Sequence, residues 1–327
     1  MKRNYYIFTP GKLRRKDDTI FFLPFAETDP QEDENLQDEV LLSIDSDAHE
    51  TEPKRKTVIP IQDVEAFYIM AETSFNSKFL DFLTQNEIPM HIFNYFGYYS
   101  GSYYPRESLV SGFLTVRQTE HYLNPEKRML IARKFVEGAS TNILKNLKYY
   151  DKRERDCRAQ IDTIESVMPE IETARGMHEL MNVEGRIRKI YYSAFNEILT
   201  ADMKFDKRKF RPPTNPINAM ISFCNAMVYT TVLAEIYRTQ LNPVISFLHE
   251  PGQRRFSLAL DLAEIFKPIL ADRVIFKLVN SRSIQGKHFE KELNGHYLKE
   301  NGRKKVVAEY DDKLKQTIKH RQIKREV

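Results

Sequence analysis

Short runs of β-branched and aromatic residues dominate the first 95 positions of the chain. Runs of four or five such residues are separated by residues typical of turns, which is the pattern of strands in a sheet. The predicted strands are 5–8, 19–23, 40–44, 57–61, 66–70 and 90–93. One helix is predicted among them, over 74–86. This part of the chain is therefore predicted to be a β-strand domain.

From position 107 onward, apolar residues recur mainly at three- and four-residue intervals, and few strand signals remain. This periodicity predicts a helical domain over 107–327, and the whole chain is predicted to be α+β. In the segment 176–199, Glu184 lies at the border of the apolar stripe. Gly185 follows it at a cost to the helix of about 1 kcal/mol relative to Ala, which indicates close approach of another group.

A segment that combines tyrosine with Gly, Ser and Pro, residues 96–106, separates the two patterns. We predict a linker here, between the domains at 1–95 and 107–327. Its tyrosines are consistent with stacking on nucleic-acid bases or with packing in the linker, and packing is the more common role.

The segment 217–234 contains no charged residue over eighteen positions, a length that raises the question of a membrane span. Its Asn, Ser, Tyr and Thr residues argue against a span. A buried helix is predicted instead, with Thr214 or Asn215 as its cap and Pro216 in its first turn.

A histidine marks the start of the stretch 244–268, which carries the strongest candidate chemistry. The apolar run 244–248 ends at His249, and Pro251 and Gly252 break the chain directly afterwards. The imidazole is therefore expected at the accessible edge of a packed element. A single histidine beside apolar residues is also common as a structural side chain.

A helix with acidic residues on one flank is predicted from Ser257 onward. Ser257, Asp261 and Glu264 fall together on that flank, because residues three and four apart are neighbours on a helix. Two like charges at this spacing need a cation beside them, either Lys267 or a metal ion. Acidic residues on a helix flank are more often a solvated surface, so the pattern alone does not define a site.

Charge is distributed unevenly along the chain. The formal net charge is only +4, but 11 of the 46 acidic residues lie in the segment 26–53, which has no Lys or Arg. The rest of the chain is therefore strongly basic, which suggests a polyanionic partner, although charge runs are more often solvated surface. The role of the acidic segment is not readable from its composition.

Several basic clusters are candidates for contacts with phosphate groups. Arg186 and Arg188 follow Glu184 on the same predicted helix, and a segment rich in Lys and Arg spans 126–160. A basic loop with five cations precedes the buried helix, and such a loop suits a phosphate at a helix entrance. These five are Lys204, Lys207, Arg208, Lys209 and Arg211. Charged helical surface is the alternative for Arg186, Arg188 and the segment 126–160.

Two cysteines, Cys157 and Cys224, have neither paired spacing nor a nearby histidine, so a disulfide and a zinc site are both disfavoured. The amino terminus does not resemble a signal peptide. These features are typical of a protein of the reducing cytoplasm.

The order of motifs in the second part of the chain resembles that of the CRISPR-associated protein one family, the catalytic subunit of the spacer-acquisition integrase. The resemblance is carried by four motifs in combination. They are Glu-Gly at 184–185, Arg-Pro-Pro-Thr-Asn-Pro-Ile-Asn-Ala-Met at 211–220, Leu-His at 248–249 and Ser-Leu-Ala-Leu-Asp-Leu-Ala-Glu-Ile-Phe-Lys-Pro at 257–268. It implies a small amino-terminal β-sandwich-like domain followed by a larger all-helical catalytic domain.

The resemblance also implies a divalent-metal site formed by Glu184, His249 and Glu264, with Asp261 as an auxiliary catalytic acid. Family members have either Asp or Glu at the last ligand position, so Asp261 and Glu264 are alternatives for it. Carboxylate oxygens with one imidazole suit Mg2+ or Mn2+. Lys267 falls where the family often has arginine, which keeps the charge but not a bidentate contact.

In the reaction that this resemblance implies, a DNA 3′-hydroxyl attacks a phosphodiester of the CRISPR repeat, and water in its place gives endonuclease activity. Arg254, Arg255 and Lys267 would contact the DNA backbone, in addition to the basic residues above. The implied partners are double-stranded DNA, a second copy of this chain joined through the β domain, and a dimer of the small CRISPR-associated protein two. The segment 26–53 is an insertion relative to the compact family pattern. The alternative function is a catalytically inactive, basic nucleic-acid-binding scaffold.

Overall fold

The protein is described here by a computed structural model, which covers residues 2–25, 57–106, 109–199, 203–209, 212–252, 256–292 and 295–317. The chain forms two compact units, one of residues 1–95 and 100–106 and the other of residues 96–99 and 107–327. The acidic segment 26–53 and the predicted strand at 40–44 lie outside the described residues, so their interpretation stays a prediction.

The first unit is built from two four-stranded sheets, with strand orders β1-β5-β7-β8 and β4-β3-β2-β6. Its strands are β1 Arg3–Ile7, β2 Gly11–Lys16, β3 Thr19–Pro24, β4 Thr57–Pro60, β5 Val64–Ile69, β6 Thr73–Phe75, β7 Met90–Phe93 and β8 Tyr99–Tyr103. A 3-10 turn spans Ile61–Asp63, and helix α1 spans Ser77–Gln85. The pairs β1–β5 and β5–β7 are parallel, whereas β3 runs antiparallel to both β2 and β4. Residues of both sheets and of α1 form one buried core, so the predicted sandwich-like β domain is confirmed.

The segment 96–106, predicted as a linker, contains the strand β8, which is hydrogen-bonded to β7 at the edge of its sheet. One of its tyrosines is packed: the Tyr103 hydroxyl lies 2.5 Å from Thr84 Oγ1 and donates to the Leu80 carbonyl at 3.2 Å. Both partners are on α1. This tyrosine therefore contributes to packing.

The second unit is mainly helical. Its helices are α2 Gly112–Leu123, α3 Pro125–Asp151, α4 Arg158–Val167, α5 Glu170–Thr173, α6 Met177–Ser193, α7 Phe195–Ile198, α8 Pro216–Tyr237, α9 Ser257–Lys267, α10 Arg273–Asn280 and α11 Glu300–Leu314. A π-helix spans Pro268–Asp272 and a 3-10 turn spans Gly286–His288. An antiparallel hairpin, β9 Phe289–Glu292 and β10 Gly295–Leu298, interrupts the helices. The unit was expected to be all-helical, and it is helical apart from this hairpin and the short turns.

The apolar helix α8 is long and apolar enough to cross a membrane by length and composition, but 72% of the window that passes this test is buried inside the protein. The predicted buried helix is therefore confirmed. Of the two candidate caps, the structure has Asn215, whose side chain accepts a hydrogen bond from Asn218 N at 2.8 Å. Pro216 opens the helix, where a missing N–H costs nothing.

Helix α9, which carries the predicted acidic flank, packs between α3 and α8. Leu258, Ala259 and Ala263 form its buried side. The π-helix continues directly from α9, and Asn146 of α3 donates a 2.6 Å hydrogen bond to the Pro268 carbonyl at its start. Both long helices therefore fix the direction in which the acidic flank of α9 points.

Candidate active site

Asp261 fastens the loop that carries His249. Its carboxylate is fully buried and accepts backbone hydrogen bonds from Phe247 at 2.7 Å, Leu248 at 2.9 Å and His249 at 3.0 Å. Its Oδ1 also lies 2.8 Å from Nδ1 of the His249 ring. A carboxylate partner at Nδ1 fixes the tautomer in which Nε2 carries the free lone pair. The imidazole is thus held with its other nitrogen available.

The same loop is joined to the first turn of α9 by two further hydrogen bonds. Ser257 Oγ donates to the Val244 carbonyl at 2.7 Å, and Leu258 N donates to the Pro243 carbonyl at 3.0 Å. Ser257 and Asp261, predicted to share a flank of α9, therefore both bind residues 243–249. The buried flank holds the loop in place.

Arg128 holds this loop from α3. Its Nε donates to the Phe247 carbonyl at 2.9 Å and its Nη2 lies 2.8 Å from Glu250 Oε1. Tyr122 stacks under the guanidinium at 4.4 Å and donates to Glu250 Oε2 at 2.7 Å. The sequence placed Arg128 in a basic run with no distinguishing signal. The structure uses it to position the turn around His249.

Glu184 and Glu264 are brought together by one guanidinium. Arg188 Nε lies 2.5 Å from Glu184 Oε1, and Arg188 Nη2 bonds Glu264 Oε2. Lys267 Nζ bonds the other oxygen of Glu264. The predicted cation beside the acidic flank is therefore present, as Lys267 together with Arg188. Sequence spacing gave no indication of the Arg188 contact with Glu264, because the two residues are 76 positions apart.

The charges of this cluster determine the ionisation of Glu264. Burial raises its pKa, but the positive charges of Arg188 and Lys267, a hydrogen bond from Lys267 and the proximity of His249 together hold the pKa at about 2. Burial lowers the pKa of Arg188, yet Glu264 and Glu184 raise it well above its ordinary value. Carboxylate and guanidinium are both charged at neutral pH.

The donor atoms suit a hard divalent cation, but they are not assembled around one. No three His, Cys, Asp or Glu side chains in the described part of the chain form a group that could hold a metal ion. Two carboxylates and an imidazole with a free Nε2 are the right donor types for Mg2+ or Mn2+. The fit requires the carboxylate oxygens of Glu184 and Glu264 to exchange their ion pairs for the metal. The ligand set of Glu184, His249 and Glu264 stays a prediction.

A cavity of about 520 Å3 opens beside this cluster. Its wall carries five cations, two aromatic rings and two carboxylates. The lining residues are Gly185, Arg188, Lys189, Tyr192, Ser193, Phe205, Asp206, Lys207, Arg208, Asn225, Glu264 and Lys267. A cavity with this excess of positive charge suits an anionic ligand.

The basic loop on one wall of the cavity is held by two asparagines. Asn196 pairs with the backbone of Phe205, donating to its carbonyl at 2.7 Å and accepting from its N–H at 2.8 Å. Asn218 Oδ1 accepts from Arg208 Nη1 at 3.0 Å and from Lys209 N at 3.1 Å. The wall is therefore positioned by its own hydrogen bonds.

The predicted DNA-binding cations fall into three groups. Arg188, Arg208 and Lys267 line the cavity, whereas Arg186 forms an ion pair with the half-exposed Glu170 and is not among the lining residues. Arg211, Arg254 and Arg255 lie outside the described residues. Their contacts with DNA stay predictions.

Replacing Gly185 by alanine is expected to raise the free energy of unfolding by about 0.4–1 kcal/mol. Gly185 is inside α6, and no atom of the described residues lies within 4 Å of an added Cβ. The close approach predicted at this glycine is therefore not found there, and the backbone restriction comes without a clash. The same methyl group narrows the cavity and is expected to weaken ligand binding there. Urea unfolding and a binding titration measure the two effects.

Gly176→Ala is the matched control, because Gly176 is the extended N-cap residue of the same helix and its added Cβ also meets no atom within 4 Å in the part of the chain that the structure describes. Alanine is a poor N-cap, so the expected change in stability has the opposite sign. Equal signs for the two variants would contradict this account of Gly185.

Comparison with known proteins agrees with this architecture. A family model described as "CRISPR associated protein Cas1" matches residues 5–312. "CRISPR-associated endonuclease Cas1" of Fusobacterium nucleatum is 45% identical over 327 residues, covering 100% of this chain and 89% of that protein. "CRISPR-associated endonuclease Cas1 3" of Thermodesulfovibrio yellowstonii is 46% identical over 328 residues, covering 99% of this chain and 90% of that protein.

Solved structures show the same fold. A Cas1 protein from Thermotoga maritima has a TM-score of 0.80 and 39% sequence identity, covering 96% of this chain and 91% of its own. A structure described as "Casposase bound to integration product" has a TM-score of 0.77, at 20% identity, over 98% of this chain and 85% of its own. A β-rich unit followed by a helical unit, with paired carboxylates beside a basic cavity, is an arrangement suited to acting on nucleic acid. The chain belongs to the CRISPR-associated protein Cas1 family. The resemblance found in the sequence is thereby confirmed.

Proposed function

We propose that the protein is a metal-dependent DNA integrase and endonuclease that inserts DNA fragments into a CRISPR array as new spacers. A DNA 3′-hydroxyl attacks a phosphodiester of the repeat, so that a new P–O bond forms while the bond to the repeat strand's own 3′-oxygen breaks and that oxygen leaves as a hydroxyl. Water in place of the attacking hydroxyl hydrolyses the strand. The observation that carries the proposal is the pairing of Glu184 and Glu264 beside a cationic cavity, with His249 held by Asp261 in the tautomer of a metal ligand. The names of the relatives at 45–46% identity, Cas1 endonucleases, support it.

Each residue has a separate role in this proposal. Glu184, Glu264 and His249 Nε2 would hold Mg2+ or Mn2+, which supplies Lewis-acid stabilisation of charge on the attacked phosphate. Asp261 does not act as the third ligand, because its two oxygens already accept four N–H groups in the buried loop contact. It orients His249 as a positioning residue. The sequence left Asp261 and Glu264 as alternatives for the third metal ligand, and we therefore propose Glu264.

The cavity cations would bind the DNA backbone. Lys189, Lys207 and Arg208 line its wall beside Glu264, and such contacts give affinity without sequence choice. Tyr192 offers a partly exposed ring on which a base can stack, whereas Phe205 is buried against that ring. The cavity is proposed to hold the strand whose phosphate reacts.

The partners proposed are double-stranded DNA, a second copy of the chain joined through the β unit, and a dimer of the small CRISPR-associated protein two. A solved neighbour described as "Cas6-RT-Cas1--Cas2 complex" shares the fold, with a TM-score of 0.74 and 16% identity, and supports an assembly of this kind. The two cysteines are free and buried, consistent with the reducing cytoplasm proposed for the protein.

A strand-transfer assay tests the proposed reaction. Short duplex DNA and a supercoiled repeat-bearing plasmid are incubated with Mn2+ or Mg2+ and the small partner protein, and joined product is measured for wild type and His249→Ala. We expect metal-dependent joining that His249→Ala loses while its DNA affinity is kept. Equal activity of the variant would show that the assigned site is wrong. Tight, salt-sensitive DNA binding with neither joining nor cleavage in wild type would favour an inactive scaffold.

A further inference from the structure

The guanidinium of Arg188 bonds to Glu184 and Glu264, the two carboxylates that the metal would need. Arg188 bonds Glu184 through Nε and Glu264 through Nη2, so it bridges acids from the two helices α6 and α9. We propose that Arg188 is an internal counter-ion that competes with the divalent metal for Glu184 and Glu264 and must leave them when the metal binds. This inference rests on the proposed function, because it requires that these two acids are metal ligands.

Two like charges in a partly buried place require a cation when no metal is bound. Glu184 and Glu264 have side chains 23% and 13% exposed, and their mutual repulsion would otherwise open the space between α6 and α9. The planar fork of arginine can bond two separate carboxylates at once, which a lysine ammonium does less well. Arg188 therefore holds the acids close together before the metal arrives. It is a positioning residue in that state.

The group that competes with the metal is the guanidinium, because it already bonds an oxygen of each acid. Lys267 Nζ bonds the other oxygen of Glu264. A metal ion that binds to both acids therefore replaces Arg188 as their shared cation.

The geometry gives Arg188 a place to move to. Arg188 itself lines the 520 Å3 cavity, so its side chain can turn away from the acids without becoming a buried, unpaired charge. Lys267 differs, because in the described part of the chain it pairs with Glu264 and not with Glu184, so it does not join the two acids. Of the two cations, Arg188 is the one whose departure releases an oxygen of each acid.

The test is metal affinity measured without any substrate. Full-length wild type, Arg188→Gln and Arg188→Lys are titrated with Mn2+ alone, and bound metal is followed by electron paramagnetic resonance and by calorimetry. We expect Arg188→Gln to bind Mn2+ about tenfold more tightly than wild type, because the two charged hydrogen bonds of Arg188 no longer have to be broken on binding. Arg188→Lys should lie between them. In EDTA, the melting temperature of Arg188→Gln should fall below that of wild type, and saturating Mn2+ should close that difference.

Arg117→Gln is the matched control, because it removes an arginine whose ion pair is with the exposed Glu120 at 2.7 Å. Its Mn2+ affinity should equal that of wild type. A purely structural role for Arg188 predicts weaker Mn2+ binding in its variants, and unchanged or weaker binding would overturn the inference. Should Arg188→Gln not fold, the absence of tighter binding in Arg188→Lys overturns it equally.

Failure of the proposed function gives a different result. If wild type binds no Mn2+, or if Glu184→Gln and His249→Ala bind it as well as wild type, the metal site itself is wrongly assigned. That outcome does not depend on Arg188. The proposal that Arg188 competes with the metal is overturned, with the metal site itself upheld, when those two variants lose Mn2+ binding and the Arg188 variants do not bind Mn2+ more tightly.

Discussion

Asp261→Asn is expected to lower the free energy of unfolding by about 3–5 kcal/mol and to reduce DNA joining at least about a hundredfold. The stability loss arises because the buried carboxylate accepts four hydrogen bonds, from three backbone N–H groups and from His249 Nδ1. The asparagine side chain has an NH2 group in place of one carboxylate oxygen, and this NH2 group would face N–H donors that the oxygen now accepts. Buried N–H groups left without an acceptor are costly.

The loss of activity has a separate cause. Without the carboxylate at Nδ1, the His249 ring is no longer held in one tautomer, and the 247–249 backbone is free to shift. Displacement of a reacting group by about 1 Å can cost a hundredfold in rate. Among the described residues, the side-chain hydrogen bonds of Asp261 go to residues 247–249, which do not line the cavity, so the variant should keep its affinity for DNA.

Asp162→Asn is the matched control for this substitution. Asp162 lies on α4 and pairs with Arg158 at 3.1 Å, but its side chain is 55% exposed. The same chemical change there should alter stability by less than about 1 kcal/mol. Urea unfolding followed by circular dichroism and the strand-transfer assay are the two measurements. A small stability loss for Asp261→Asn would contradict the role given to the loop contacts.

In the wild type, the free energy of unfolding is expected to fall by up to roughly 4 kcal/mol as the pH rises from about 4 to about 7. The substitution Asp272→Asn is expected to abolish this fall. Burial raises the pKa of Asp272 from its ordinary value of 3.8 to about 7, against the opposing effects of Arg188, a hydrogen bond from Tyr191 and the charge of Lys267. Glu264 adds to the rise. Asp272 is the last residue of the π-helix and is 5% exposed.

The sign follows from proton binding. Between pH 4 and pH 7 the folded protein keeps a proton on Asp272 that the unfolded chain releases. The stability contributed by this group is therefore fully present below about pH 4 and is lost as the pH rises through about 7. Asparagine stays neutral throughout, so the variant gains on wild type as the pH rises.

Unfolding free energies of metal-free wild type and Asp272→Asn, measured from pH 4 to pH 8, test this. The difference between the two proteins should grow up to pH 7 and then level off. Asp162→Asn, the same substitution at a 55% exposed side chain, again serves as the control. A difference that is constant with pH would mean that Asp272 is ionised in the folded protein at all these values.

The helical part of the site was largely accessible from sequence. Hydrophobic periodicity placed Ser257, Asp261 and Glu264 on one flank of α9, and the structure has all three there, in use. Spacing could not separate the roles of the two acids. That distinction depends on the backbone N–H groups of residues 247–249, which are brought to Asp261 only by the tertiary fold.

Other elements escaped sequence analysis for local reasons. The strand β2 reads Gly-Lys-Leu-Arg-Arg-Lys, and its single large apolar residue, Leu13, gives no clear alternation. It forms because it pairs with β3 through a tight turn in which Asp17 has a positive φ of 54°. The hairpin β9–β10 is likewise short, with four residues in each strand. In both cases pairing with a neighbouring strand overrides weak intrinsic preference.

The bonds that join residues 243–249 to α9 make this part of the chain a single exchangeable module. Both ends of the loop are hydrogen-bonded to positions within the next twenty residues, through Ser257, Leu258 and Asp261. In a chimera between two relatives, exchanging residues 243–267 as one block means that both partners of each of these hydrogen bonds come from the same parent. A crossover placed inside the block combines a loop from one parent with a helix from another, and the histidine then depends on a partner it did not evolve with.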